Sequence, residues 1–78
     1  MANRFDVYTR VADEMNRQRE KWGVQRHHDE RWLTILGEEF GEASKAILED
    51  GDLDAELIQI AAVAISWLES RELFGDLR

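Results

Sequence analysis

Three glutamates, Glu39, Glu42 and Glu56, stand where an amphipathic helix would place apolar residues or the margin of its wet face. At about 100° per residue from Leu36, Glu39 falls near −60°, inside the arc of Trp32, Ala43 and Ala46, and Glu42 near −120°, at its border. Glu38 and Glu49 fall on the wet side of the same wheel. On the next helix Glu56 lies between Trp67 and Val63. An unpaired buried carboxylate is costly, so such a residue is normally paired, protonated or bound to a metal. Lys45 points to the far side of the wheel from Glu39 and makes a poor partner for it. Residues three apart share a helix face, so Glu39 and Glu42 can direct oxygens at one cation, and Glu56 on an antiparallel neighbour supplies the next ligand. An all-oxygen set favours Mg²⁺, with Mn²⁺ as the alternative, over zinc. The rival reading is a solvated acidic face. A calcium loop beginning at Asp50 fails on spacing, because its sixth position is Ala55 rather than glycine and its twelfth is Ala61.

The elements that must carry these groups are helices. The chain has no proline and five glycines, so it has few breakers. Asn3 followed by Asp6 reads as a capping box variant, and Phe5, Tyr8, Val11, Ala12 and Met15 form the stripe of a first helix running to about residue 21. Residues 22–29 lack periodicity and read as a loop, with Asp29 or a neighbour capping the second helix. That helix, over about residues 30–49, carries Trp32, Leu33, Leu36, Phe40, Ala43 and Ile47 as a core-facing stripe. The turn through Asp50 and Asp52 lets Gly51 adopt positive φ and Asp52 cap a third helix, about residues 53–72.

Between Leu57 and Leu68 only Gln59 and Ser66 are polar, so the third helix is apolar nearly all round. Two helices of one short chain cannot cover it. The expectation is an all-α fold, a single domain over residues 1–78, in which three main helices are completed by a second copy, with residues 73–78 framing that contact or fraying. A chain of 78 residues buries only about 60% of its unfolded surface, and help from disulfides is closed to it because it has no cysteine. A metal, a partner chain or both remain. A net charge of −7 argues against nucleic acid and anionic lipid as partners. It leaves room for a polyanionic small substrate held through a cation. No run is long enough to span a membrane, and the first residues, Met1 to Asp6, lack a signal-peptide layout, so the expected location is the cytoplasm.

The string Glu38-Glu39-Phe40-Gly41-Glu42, then thirteen residues, then Glu56-Leu57-Ile58-Gln59, resembles the Glu-x-x-Glu and Glu-x-x-Asp pair of the all-α nucleoside triphosphate pyrophosphohydrolases, the MazG-like branch above all. Upstream, Trp22, Gln25 and His27 look like the Trp, Gln and His that precede the second helix in MazG domains, so the resemblance covers about residues 18–69. It implies a hydrolase that cleaves nucleoside triphosphates to the monophosphate and pyrophosphate with Mg²⁺, assembled as a homodimer or homotetramer of the all-α NTP pyrophosphatase type. It further implies Glu39, Glu42, Glu56 and Gln59 at the metal, Glu38 as the carboxylate that helps deprotonate the attacking water, Trp22, Gln25 and His27 near base or ribose, and Lys45 and Arg26 toward phosphate.

Gln59 departs from the pattern, since it replaces the family's last acid with a neutral carbonyl oxygen; Glu38 or Asp52 are the substitutes within reach of the sequence. That departure motivates an alternative, a weak or inactive relative that binds nucleotide or a protein partner. A plain helical interaction module is a third reading, in which Glu39 and Glu56 serve salt bridges. Trp22 and Trp32 also read as packing anchors, and His27 and His28 as solvated loop residues. The chain has no Gly-rich phosphate loop and no thiol nucleophile.

Overall fold

In the computed structural model, which describes residues 3–75, the chain forms three helices, α1 (Arg4–Trp22), α2 (Asp29–Leu48) and α3 (Leu53–Phe74), and no strand among the described residues. Asp76, Leu77 and Arg78, part of the tail expected at a partner contact, lie outside that range, as do Met1 and Ala2. The first helix starts where its capping box places it. Asp6 N–H donates to Asn3 Oδ1 at 3.0 Å, and Asn3 N–H donates back to Asp6 Oδ2 at 3.1 Å. Gly23, at φ 73°, closes α1 with its N–H on the Arg19 carbonyl.

The α2–α3 turn differs from expectation in one residue. Asp50, not Gly51, adopts the left-handed conformation, with φ 55°. Gly51 N–H then donates to the Ala46 carbonyl at 2.7 Å, the 6→1 bond of a Schellman ending. Glycine serves at 51 for space: a Cβ there would meet Ala46 Cα at 3.3 Å. Asp52 caps α3 through Ala55 N–H, as expected. Asp29 does not cap α2; His28 holds the cap position, in extended backbone at φ −65° and ψ 157°, and its side chain makes no capping hydrogen bond. The Asp29 carboxylate instead accepts from Trp67 Nε1 at 2.9 Å and pairs with Arg71, tying the start of α2 to the end of α3. These helices therefore form an antiparallel hairpin.

The third helix is the hub, with α1 and α2 both packed on it and not on each other. Gln18 of α1 meets Gln59 near the start of α3, whereas Arg19 reaches Glu69 near its end. Successive residues of α1 thus contact α3 at positions 59 and 69, so α1 lies across that helix rather than along it. Val11, Trp32, Ala43, Ala62 and Val63 make the buried core, joined by the polar Gln18 and Ser70.

The expected core stripe of α2 divides in two. Trp32 and Ala43 are buried and Leu36 is half-buried, but Leu33, Phe40 and Ile47 are 60%, 54% and 66% exposed. On α1, Phe5 and Tyr8 are likewise exposed, stacked edge to face on one another. Among the described residues no helix is long and apolar enough to cross a membrane.

Candidate functional site

Because α1 crosses α3, it leaves an open angle beside α2, and a cavity of about 580 Å³ fills that angle. Its floor is Gln59 and Val63 of α3. Trp22 and Gln18 of α1 form one wall, Glu38, Glu39 and Arg31 of α2 the other, and the loop residues Gln25, Arg26 and His27 close one end. Of the residues given site roles from sequence, Trp22, Gln25, His27, Glu38, Glu39 and Gln59 line this space. Glu42 and Glu56 lie outside its walls, and Lys45, exposed on α2, does not line it either. Arg26 does reach the cavity, with its guanidinium 5.0 Å over the Phe74 ring.

The loop is ordered by its own side chains. His27 and Gln25 are half-buried and share a hydrogen bond between Nε2 and Oε1 at 2.9 Å. The His27 ring stands edge-on to Trp32 with centroids 5.0 Å apart. Burial, and then the nearby Arg31 charge, hold its pKa below the ordinary 6.5, so the imidazole is neutral at pH 7. A neutral ring that donates through Nε2 keeps Nδ1 as an acceptor.

The electrostatic centre is Glu39. Its half-buried carboxyl is pushed above the usual carboxylate range by burial first, then by the charges of Glu56, Glu42, Glu38 and Glu14, in that order. Every one of these influences acts in the same direction. The wheel therefore placed Glu39 and Glu56 correctly, since both are half-buried while Glu38 and Glu42 are exposed. Among the described residues no three acids or histidines are drawn together in an arrangement that would hold an ion. The donor chemistry nonetheless fits one: oxygen-only side chains from two adjacent helices carry mutual repulsion that a hard divalent cation relieves.

Three further residues belong to the site, and sequence periodicity could not reveal them. Glu14 enters the field of Glu39 from α1. It is held below the usual carboxylate range, chiefly by its bond to Arg17, whose Nε and guanidinium NH2 both donate to it. Gln18 Nε2 donates to Glu14 Oε2 and to Gln59 Oε1, each at 2.9 Å, so the neutral residue at 59 is the end of a chain that begins at Glu14. Arg31 adds a cation to the wall that carries Glu38. A glutamate at 14 and a glutamine at 18 are ordinary on a polar helix face; only the crossing of α1 over α3 brings them here. Asp52, one of the two substitutes for the missing acid, is committed to capping Ala55. No family model, no curated protein and no solved structure matches this chain, so its chemistry rests on these residues alone.

Proposed function

We propose that this protein is a Mg²⁺-dependent nucleoside triphosphate pyrophosphohydrolase, acting in the cytoplasm on free nucleotides. The observation that carries the reading is Glu39, a half-buried acid repelled by four others, in the wall of a cavity that also bears Arg31, Arg26, His27 and Trp22. Glu39, Glu42 and Glu56 are the residues that would hold the ion, with Mn²⁺ as a substitute for Mg²⁺. When bound, it would offset the negative charge of both protein and triphosphate and activate water for hydrolysis.

The side chains divide the remaining work by position. Arg31 and Arg26 supply cations for phosphate oxygens on the loop side of the cavity. Trp22 and His27 offer apolar and aromatic surface for the nucleoside, with His27 kept neutral by its surroundings. Glu38, solvent-exposed on the same wall as Glu39, accepts a proton from the attacking water as the new O–P bond forms and the α–β phosphoanhydride bond breaks. The products are the monophosphate and pyrophosphate. Lys45 has no place in this arrangement within one chain.

A homodimer or homotetramer belongs to the same reading. The outer residues of α2 (Leu33, Phe40, Ile47) and of α3 (Leu57, Leu68) are exposed, and in an antiparallel hairpin these positions turn to one side, opposite α1. A second copy on that side would bury both stripes.

A weaker binding protein is favoured by one fact: Gln59 Oε1 already accepts a hydrogen bond from Gln18. The two readings separate in a pyrophosphate-release assay over a panel of triphosphates, with Mg²⁺ and with chelator. Metal-dependent release supports the enzyme. Metal binding without release, together with activity in Gln59→Asp, favours the weaker binder.

A further inference from the structure

The side-chain amide of Gln59 is engaged by α1 at both ends. Its Oε1 accepts from Gln18 Nε2 at 2.9 Å. Glu14 is held below the usual carboxylate range first by the hydrogen bond from Arg17 and then, against a rise from burial, by donation from Gln18 and Gln59. Ionised, Glu14 can only accept, so the Gln18 atom that faces it is Nε2. The same Nε2 donates on to position 59, so the atom it meets there is the Gln59 oxygen. One charge thus dictates the order of donors and acceptors along the whole chain. Gln18 is 9% exposed, so the bond is sheltered from water. The ion pair of Arg19 with Glu69, at 4.0 Å between side chains about half exposed, contributes little. Since α1 packs on α3 and not on α2, the place of its cavity wall depends on that hold. Trp22 follows Gln18 by one helical turn, and both line the cavity.

We propose that Gln18 and Gln59 are positioning residues: their hydrogen bond anchors α1 on α3 and so sets the wall that carries Trp22 toward the nucleoside, and Gln59 is that anchor rather than a ligand of the ion. This rests on the nucleotide reading above and deepens it. It also gives the neutral residue at 59 a reason of its own. An acid there would set a second acceptor-only group against Glu14, could not donate to it, and would repel it. The glutamine is then the residue type that the crossing of α1 over α3 requires.

Thermal melts of the full chain in chelator test the anchor without any nucleotide, using Gln18→Leu, Gln59→Leu and the double variant. Each single variant strands a partner and should melt below the original, while the double variant should melt no lower than the weaker single, because the two share one bond. Additive losses, or single variants that melt as the original does, overturn the anchor. Mg²⁺ then separates anchor from ligand. It should raise the Tm of Gln59→Leu by as much as that of the original chain; a smaller shift would put Gln59 at the ion and overturn the proposal. In hydrolysis of UTP, both single variants should raise KM by roughly fivefold, the worth of one net hydrogen bond, with kcat and the Mg²⁺ dependence kept. A fall in kcat at unchanged KM overturns the positioning role even though UTP is cleaved, and the nucleotide reading then stands without it. If Mg²⁺ moves no melt and the original chain cleaves no triphosphate, the nucleotide reading itself fails and the positioning role falls with it, whereas the melts in chelator still judge the anchor. Should Gln59→Leu fail to fold, Gln18→Leu, which leaves position 59 intact, is read in its place.

Discussion

Replacing Glu39 with glutamine keeps the side chain's shape and removes its charge. In the metal-free chain it should stabilise the fold, against the usual cost of altering a half-buried residue. Partial burial and the charges of Glu56, Glu42, Glu38 and Glu14 all raise the Glu39 pKa. The folded chain therefore holds this proton to higher pH than the unfolded chain, so stability is greatest below the ordinary carboxylate value of 4.5 and declines as pH rises through the folded value. Partly exposed charge pairs contribute about 0.2–1 kcal/mol each. Glu38 and Glu42 are exposed, so solvent screening discounts the four-pair sum to a net gain of about 1 kcal/mol at pH 7. For a domain of this size that raises Tm by about 4–8 °C. The assay is a pair of thermal melts followed by circular dichroism, in chelator, at pH 7 and again at pH 4, below the ordinary carboxylate value, where Glu39 is mostly protonated and the difference should shrink. Added Mg²⁺ should stabilise the original chain, by about 2.7 kcal/mol at one hundred times its Kd, and leave Glu39→Gln nearly unmoved. A variant that melts lower than the original in chelator at pH 7 would show that Glu39 is a satisfied structural acid, and the reasoning would fall.

Other expectations rest on the same geometry. His27→Gln should flatten the acid side of the stability profile: a histidine with a depressed folded pKa is protonated more readily in the unfolded chain, so stability is full above pH 6.5 and drops below it, and paired melts at several pH values measure the slope. Asn3→Ala removes the acceptor for Asp6 N–H and should cost about 1 kcal/mol in chemical denaturation, with Asn3→Ser restoring most of it. Phe40→Asp places a charge in the outer apolar stripe of α2, and light scattering should then give a monomer's mass with helicity retained; an unchanged mass would dissociate Phe40 from any assembly contact.

The three helices were legible because their ends carry local chemistry. Asn3, Asp6 and Asp52 act within four residues of themselves, and such signals survive any tertiary arrangement. The half-burial of Glu39 and Glu56 was legible for a related reason, since a helical wheel reports which residues share a face. A wheel does not report what that face meets. Leu33, Phe40 and Ile47 share the apolar side of α2 with Trp32 and Ala43, but only the latter pair is buried. Asp50 took the left-handed position beside a glycine because Gly51 was needed for its lack of a Cβ. Glu14, Gln18 and Arg31 were beyond reach altogether, because their place in the site depends on α1 crossing α3 and on the loop folding inward.

The central claim is that the carboxylates around Glu39 serve metal-dependent cleavage of a nucleoside triphosphate at the α–β bond. Phosphorus NMR of UTP incubated with the chain reads it directly. With Mg²⁺ the signals of UTP should give way to those of UMP and pyrophosphate, with chelator they should persist, and Glu39→Gln should behave as the chelated sample does. Appearance of UDP and inorganic phosphate, or turnover that is indifferent to metal and to Glu39, would contradict it.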